Sequence, residues 1–215
     1  MPQATSAAMP LPVEVKRLPW MRRIHLYSPK LARMLVLFSY RSIDAWSLIE
    51  SCPRITRFCE HPGHVVVDGQ RVLASFLVED SRGRDFIVLD DDIALEAEDP
   101  RQAPLHADAT VVRVTDDWFD PYRQWIANWL RINPYLVANA RFITATTLER
   151  VAAEFVTPRP LFDPEHALRE MDRQLARTAI FMLLHRGRLR SDDLMTHALS
   201  ETTVFYPPGN PPRRS

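Results

Sequence analysis

The feature that most limits the fold is a change of period. From Ile55 to Leu89 the apolar residues alternate with polar ones or run in short β-branched stretches, "HVVV", "RVLASFLV" and "DFIVL". The breaks between them are Pro62-Gly63, Asp68-Gly69 and Arg82-Gly83-Arg84. A two-residue period broken by such turns predicts antiparallel strands, here a meander of about four. "ATVVRVT" predicts one more. Beyond it the spacing lengthens to threes and fours, and "DDWFDPYRQWIANWLRIN" predicts an amphipathic helix ending at Pro134. Two helices are expected ahead of the strands. "SPKLARMLVLFSY" offers Ser28 as N-cap, Pro29 at the first helical position and apolar residues at 31, 34, 35 and 38. Ser42 to Glu50 places Ile43, Trp46 and Ile49 on one face.

Sheet and helices together predict an α/β (α+β) core, a mixed sheet flanked by helices. From Thr144 the signals are helical. They give a helix from Leu148 to Phe155, a long one over "DPEHALREMDRQLARTAIFMLLH" stopped by Gly187, a short one from Asp192 to Leu199, and a strand from Thr202 to Phe205. This reads as a small C-terminal helical domain of winged-helix type. The expected divisions are a basic, partly disordered arm over 1–27, the sheet domain over 28–140, the helical domain over 141–206 and a disordered tail over 207–215. The Pro-rich ends, residues 1–12 and 206–215, hold too few apolar groups to fold alone.

Composition narrows the function classes. A chain of 215 residues, 46% hydrophobic, can bury a substantial core. No run of about 18 apolar residues is present to span a bilayer, and the N-terminus lacks the basic-then-apolar order of a secretory signal, which favours the cytoplasm and no membrane partner. Cys52 and Cys59 are too few for a disulfide framework. The net charge of zero conceals an asymmetry: residues 1–41 carry seven Lys or Arg against Glu14 alone, while residues 42–107 carry thirteen acids against six Arg. A basic arm of this kind can contact nucleic acid or dock on its own domain. No Lys follows Lys30.

Several segments together resemble the TnsA-type endonucleases of heteromeric transposons. "SIDAWSLIESCPRITRFCEHP" is similar to that family's helix leading into a strand that ends in a Glu-x-Pro turn. "VVVDGQRVLASFLVEDSRGRDFIVL" is similar to its metal-binding hairpin, and "VVRVTDDWF", with Asn128 beyond it, to the strand and helix that follow. "AIFMLLHRGRLRSDDLMTHALSETTVF" is similar to its C-terminal helical segment. The order and spacing hold over roughly residues 28–206. The resemblance implies a restriction-endonuclease-like fold, DNA as substrate, and a transposase and an ATPase subunit as partners.

The family's chemistry transfers incompletely. Such nucleases hold Mg²⁺ between carboxylates, which lowers the pKa of the attacking water, and a Lys stabilises the developing charge. The family's helical Glu corresponds to Asp44, and its first-strand Asp to Ser75, a hydroxyl that cannot replace a carboxylate. Its second-strand acid and Lys correspond to Val88 and Asp90. A two-residue slip puts Asp90 at the acid position and Asp92 where Lys belongs, with Arg84 as a charge substitute. The expectation is a catalytically impaired, TnsA-like protein with no metal cofactor, acting as a DNA-binding or transposase-binding subunit. The alternatives are an active endonuclease using Mg²⁺ or Mn²⁺ on Asp44 and Asp90, and an interaction module unrelated to transposition.

Other groupings have plainer readings. "CPRITRFCEHPGH" gathers Cys52, Cys59, His61 and His64, but not at the spacing of a Cys/His finger. "DDD" at 90–92 lacks the glycine and alternation of a Ca²⁺ loop and is expected to be a solvated acidic edge. Arg186, Arg188 and Arg190 are the candidate DNA-binding residues, at a predicted helix end. Trp118, Trp125 and Trp129 are expected on one helical face as packing anchors.

Overall fold

The computed structural model describes residues 8–16, 22–92, 94–99, 105 and 109–209. The chain divides into two compact units. The first takes the chain up to Ile49 and again from Arg54 to Trp118; the second takes Glu50–Pro53 and the chain from Phe119 onward. The expected division at 140/141 differs from this because the long helix after the sheet packs with the C-terminal helices.

The first unit opens with a hairpin, β1 (Ile24–Ser28) and β2 (Arg33–Leu37), where the spacing predicts a helix. Part of the expected basic arm is therefore strand. Ser28 does use its hydroxyl as a cap, accepting the Leu31 N–H at 3.1 Å, but the bond closes a turn, with Ala32 in the left-handed region at φ 53°. Opposite it, "IHLYS" alternates as a strand should, and pairing with it overrides the helical spacing of the second segment. Helix α1 (Tyr40–Ser51) follows, near its expected bounds.

Five strands then stand where about four are expected: β3 (Arg57–Glu60), β4 (His64–Val67), β5 (Gln70–Leu73), β6 (Phe76–Asp80) and β7 (Gly83–Leu89). They do not form one meander. The four-stranded sheet runs β3-β6-β7-β8, with β8 (Ala109–Val114) parallel to β7 and the other pairs antiparallel; β4 and β5 form a separate two-stranded sheet among the described residues. His61, at φ 43°, and Pro62-Gly63 break β3 from β4, and the hydrogen bonds His61 N to Ser75 O and Ala74 N to Gly63 O carry the pairing across the break. Asp68-Gly69, both at positive φ, supplies the turn that suits a two-residue hairpin. Consecutive residues of β6 and β7 are buried, so both sheet faces are covered: Val65, Leu77, Phe86 and Val88 form one cluster, and Phe58 lies against Phe76. Residues 8–16 lie on this unit rather than free of it, since Val15 is buried and bridges Ala97 and Met9 packs on the cluster. Residues 1–7 and 210–215, expected to be disordered, lie outside the described residues.

The second unit is helical. It contains α2 (Arg123–Asn139), α3 (Ala145–Ala153), α4 (Phe162–Ala167), α5 (Arg173–His185) and α6 (Asp193–Thr196), with β9 (Arg159–Pro160) paired to β10 (Val204–Phe205). Helix α2 continues through Pro134, five residues past its expected end. The proline removes one N–H, but burial of Ile132 and Leu136 on the opposite side outweighs the loss. The long helix expected over 163–185 is two, because Asp172 accepts the Gln174 and Leu175 N–H groups and starts α5 afresh. Helix α5 is buried from Thr178 to Leu184 and is the centre of the core with Trp129, Leu148, Val151, Phe155 and Phe205. Gly187 ends it at φ 71°. No helix among the described residues is long and apolar enough to cross a membrane.

Candidate functional site

The positions singled out in the first unit are each bound into local structure. Ser75 lies between β5 and β6 and is fully buried. Its hydroxyl accepts the Leu89 N–H at 3.1 Å, its N–H bonds Ile87 O and its carbonyl accepts from His61. It acts as a strand connector. Asp44, on α1, is held by Arg41 Nη1 at 3.1 Å, and the same guanidinium bonds Asp116 through Nε at 2.8 Å. Asp90, just past β7, accepts Arg113 Nε from β8 at 2.7 Å. Val88 is wholly buried.

Oxygen donors for a hard cation need negative charge that nothing else has claimed. Here the central position is a neutral hydroxyl already in use, and the two carboxylates each hold an arginine. The guanidinium of Arg41 sits among acids as a cation would. Burial pushes the Asp91 carboxyl up, Asp116, Asp92 and Asp90 push it further, and Arg41 opposes them. These residues do not fit a Mg²⁺ or Mn²⁺ centre. Among the described residues no three His, Cys, Asp or Glu side chains gather as a metal group. Arg84, the possible substitute for the family's Lys, bonds Glu79 at 2.7 Å, and Arg57 bonds the same carboxylate at 3.0 Å. Although burial works against it, the two arginines hold Glu79 below the usual carboxylate range.

The acidic edge expected at 90–92 is a 3₁₀ turn whose third member is not solvated. Asp92 is buried and accepts Ser42 Oγ at 2.8 Å, and Ser42 Oγ lies 2.8 Å from Ser39 Oγ. His61 is also buried, its ring 5.3 Å from that of Phe38, and neither ring nitrogen finds a hydrogen-bond partner among the described residues. Burial pushes its pKa down, while the charges of Asp92 and Glu60 pull the other way. Glu60 is buried against Arg33 at 2.6 Å. The Cys59 thiol is buried, with its pKa pushed up to about 12 by that burial and by Glu60, and His64 Nδ1 is 3.0 Å from Arg71.

His61 gives a pH prediction. Its folded pKa lies below the free value of 6.5, so the neutral ring contributes stability above pH 6.5 that is lost as pH falls through the folded value. His64, pushed down by burial and by Arg71, adds in the same direction. The resistance of the first unit to urea is therefore expected to fall as the pH is lowered from 7 toward 5, with His61 as the main contributor. His61→Asn, which tolerates the left-handed backbone, should flatten that slope; an unchanged slope would contradict the assignment.

In the second unit Asn128 is buried and pins a loop. Its Nδ2 donates to Leu194 O at 2.9 Å and His197 O at 2.8 Å, and its Oδ1 accepts Leu199 N–H at 2.7 Å. Trp129 is core and Trp125 donates Nε1–H to Ser51 Oγ at 2.8 Å, but Trp118 is exposed, lies in the turn before α2 and belongs to the first unit. Of the candidate DNA-binding residues, Arg188 is held by both oxygens of Glu149 at 2.6 and 2.8 Å, while Arg186 and Arg190 are exposed on either side of it. The pairs Arg41–Asp116 and Arg113–Asp90 join residues far apart in the chain, and no local pattern announces them. No protein-family model matches the chain, and a search of curated proteins finds no match.

Proposed function

We propose that this chain is a TnsA-like subunit of a heteromeric transposon that no longer cuts DNA, and that it holds transposon-end DNA or the transposase and its ATPase partner while another subunit performs the cleavage. It would act in the cytoplasm. The observation that carries the reading is the state of the polar side chains at the positions matched to the family's active site, Val88 being apolar and buried. Ser75 is consumed by the Leu89 amide, Asp44 by Arg41 and Asp90 by Arg113. The reading is supported by the order of helix α1, the β6–β7 hairpin and strand β8 along the chain, which is the order in which the resembling segments occur. A framework kept while its acids are turned to internal pairing suits a subunit that binds rather than cuts.

The test is a supercoiled-plasmid assay with Mg²⁺ and with Mn²⁺, run beside a duplex-binding measurement at several salt concentrations. No nicking above background is expected. Binding should weaken with salt and weaken further in the double variant Arg186→Ala, Arg190→Ala. Cutting that disappears in Asp44→Ala would defeat the proposal in favour of an active endonuclease. Absence of both cutting and salt-sensitive binding would leave protein partners as the subunit's role, which a transposase and an ATPase gene beside this one would support.

A further inference from the structure

Helix α2 buries one side in the core of the second unit and leaves the other open. Around that open side Ala127, Leu130, Pro134 and Val137 follow one another at spacings of three and four. Leu130 is 42% exposed and Val137 45%, and Phe142, just past the helix, is 55% exposed. This is the a/d spacing by which one helix seats another. The helix "RQWIANWLRINPYLVAN" contains no acid. Arg123 at one end is paired with Asp120, Arg141 beyond the other end stacks on Phe142 with its guanidinium 4.7 Å from the ring, and Arg131 flanks the stripe.

Arg131, beside the stripe, also lines a cavity of about 210 Å³ together with Tyr135, Leu161, Arg177, Leu199 and Glu201. Its other charges are spent. Arg177 bonds the buried Glu165 through Nε at 2.5 Å and Nη2 at 3.1 Å, and Glu201 accepts from Arg173. Arg131 makes no hydrogen bond or ion pair with any described residue. The cavity is therefore lined by buried Leu161 and Leu199 and by one positive charge, that of Arg131, which has no partner among the described residues.

We propose that the outer face of α2 and this cavity dock an amphipathic helix of a partner protein, with acidic side chains along the edge of its apolar stripe and one of them seated against Arg131. Nucleic acid suits the face poorly, because its middle is Ala, Leu, Pro and Val where phosphates need donors. A second copy suits it poorly as well, because the same face of a second α2 carries no acid to meet Arg131. The surface depends only on the second unit, and it would stand even if the first unit cut DNA.

The probes are two labelled 18-residue helical peptides with Leu at every a and d position, one carrying Glu and the other Lys at e and g. Each is titrated against the full chain by fluorescence anisotropy. The Glu peptide is expected to bind saturably and the Lys peptide at least tenfold more weakly. Arg131→Glu should reverse that preference, and Leu130→Asp should weaken the Glu peptide at least tenfold. Both side chains are exposed, so the melting temperature should stay as in the parent chain; Leu130→Ala is the milder variant should it not. Equal affinity for the two peptides, no saturable binding, or binding untouched by both substitutions would overturn the proposal. So would dimers in sedimentation that Leu130→Asp dissolves, which would make the face a self-contact, or duplex DNA binding lost in Arg131→Glu with the peptides unbound, which would make it a nucleic-acid surface.

Discussion

Ser75→Asp, which places at this position the acid that the proposed nuclease relationship would call for, is expected to destabilise the protein and to confer no cutting. The side chain has no exposed surface, and its one polar partner is the Leu89 amide. A carboxylate there would find one donor and no solvent. If burial raises its pKa by about 3 units, the cost at pH 7 is about 4 kcal/mol. The pH dependence identifies the cause. A folded pKa raised above the unfolded value, near 3.9 for Asp, leaves stability untouched below about pH 3.9 and removes it as the pH rises toward the folded value. The variant should therefore lie closest to its parent near pH 4 and furthest from it at neutrality, as read by urea midpoints. A variant equally stable at both pH values would mean that Ser75 is not enclosed as described. Metal-dependent nicking by the variant would mean that the site needs only its missing acid.

The second large effect belongs to Phe181→Ala. Phe181 is fully buried in α5, edge-on to Tyr135 at 5.3 Å and 6.4 Å from the ring of Phe205. It thus joins α2 and the terminal strand β10 to the central helix. Truncating a buried aromatic ring to Ala costs about 3–5 kcal/mol through lost burial and the cavity left behind. Hydrogen exchange followed by mass spectrometry should show amide protection across α5 reduced by about two to four decades, at about 1.4 kcal/mol per decade. The β6–β7 hairpin should keep the parent protection. A loss under about 1 kcal/mol would show that the site collapses around the gap.

The elements whose sequence carried one unambiguous period are where the spacing put them. β6 and β7 with their tight turn, the further strand β8, α1 and α3 are all legible because neighbours along the chain decide them; that β8 runs parallel to β7 was not. The first hairpin was not. Residues 31 to 38 satisfy a helical spacing, and only the presence of an alternating partner at 24–28, joined through the Ser28 turn, selects the extended form. Pro134 misled in the opposite way, since a local rule about proline gave way to the packing of Ile132 and Leu136. At the candidate site, the identities of Asp44, Ser75 and Asp90 were readable, as was the loss of charge at Ser75. That Arg41 and Arg113 close on the two remaining acids was not. Neither was the burial of Asp92 beside Ser42, because these pairs join residues 23 to 75 positions apart, except Arg41–Asp44 within one helix turn.

The four residues Glu50–Pro53 belong to the second unit although the chain on both sides of them belongs to the first. Glu50 Oε1 lies 3.0 Å from His185 Nε2, Ser51 receives the Trp125 indole hydrogen, and Pro53 lies so close to Gly187 that a Cβ there would come within 2.9 Å of it. Gene dissection at residue 119 would accordingly yield a helical fragment whose Trp125 indole and His185 imidazole have lost these partners and whose Gly187 has lost the proline against it. The two halves of this protein are interleaved in sequence, and neither can be excised as a single continuous stretch without taking part of the other.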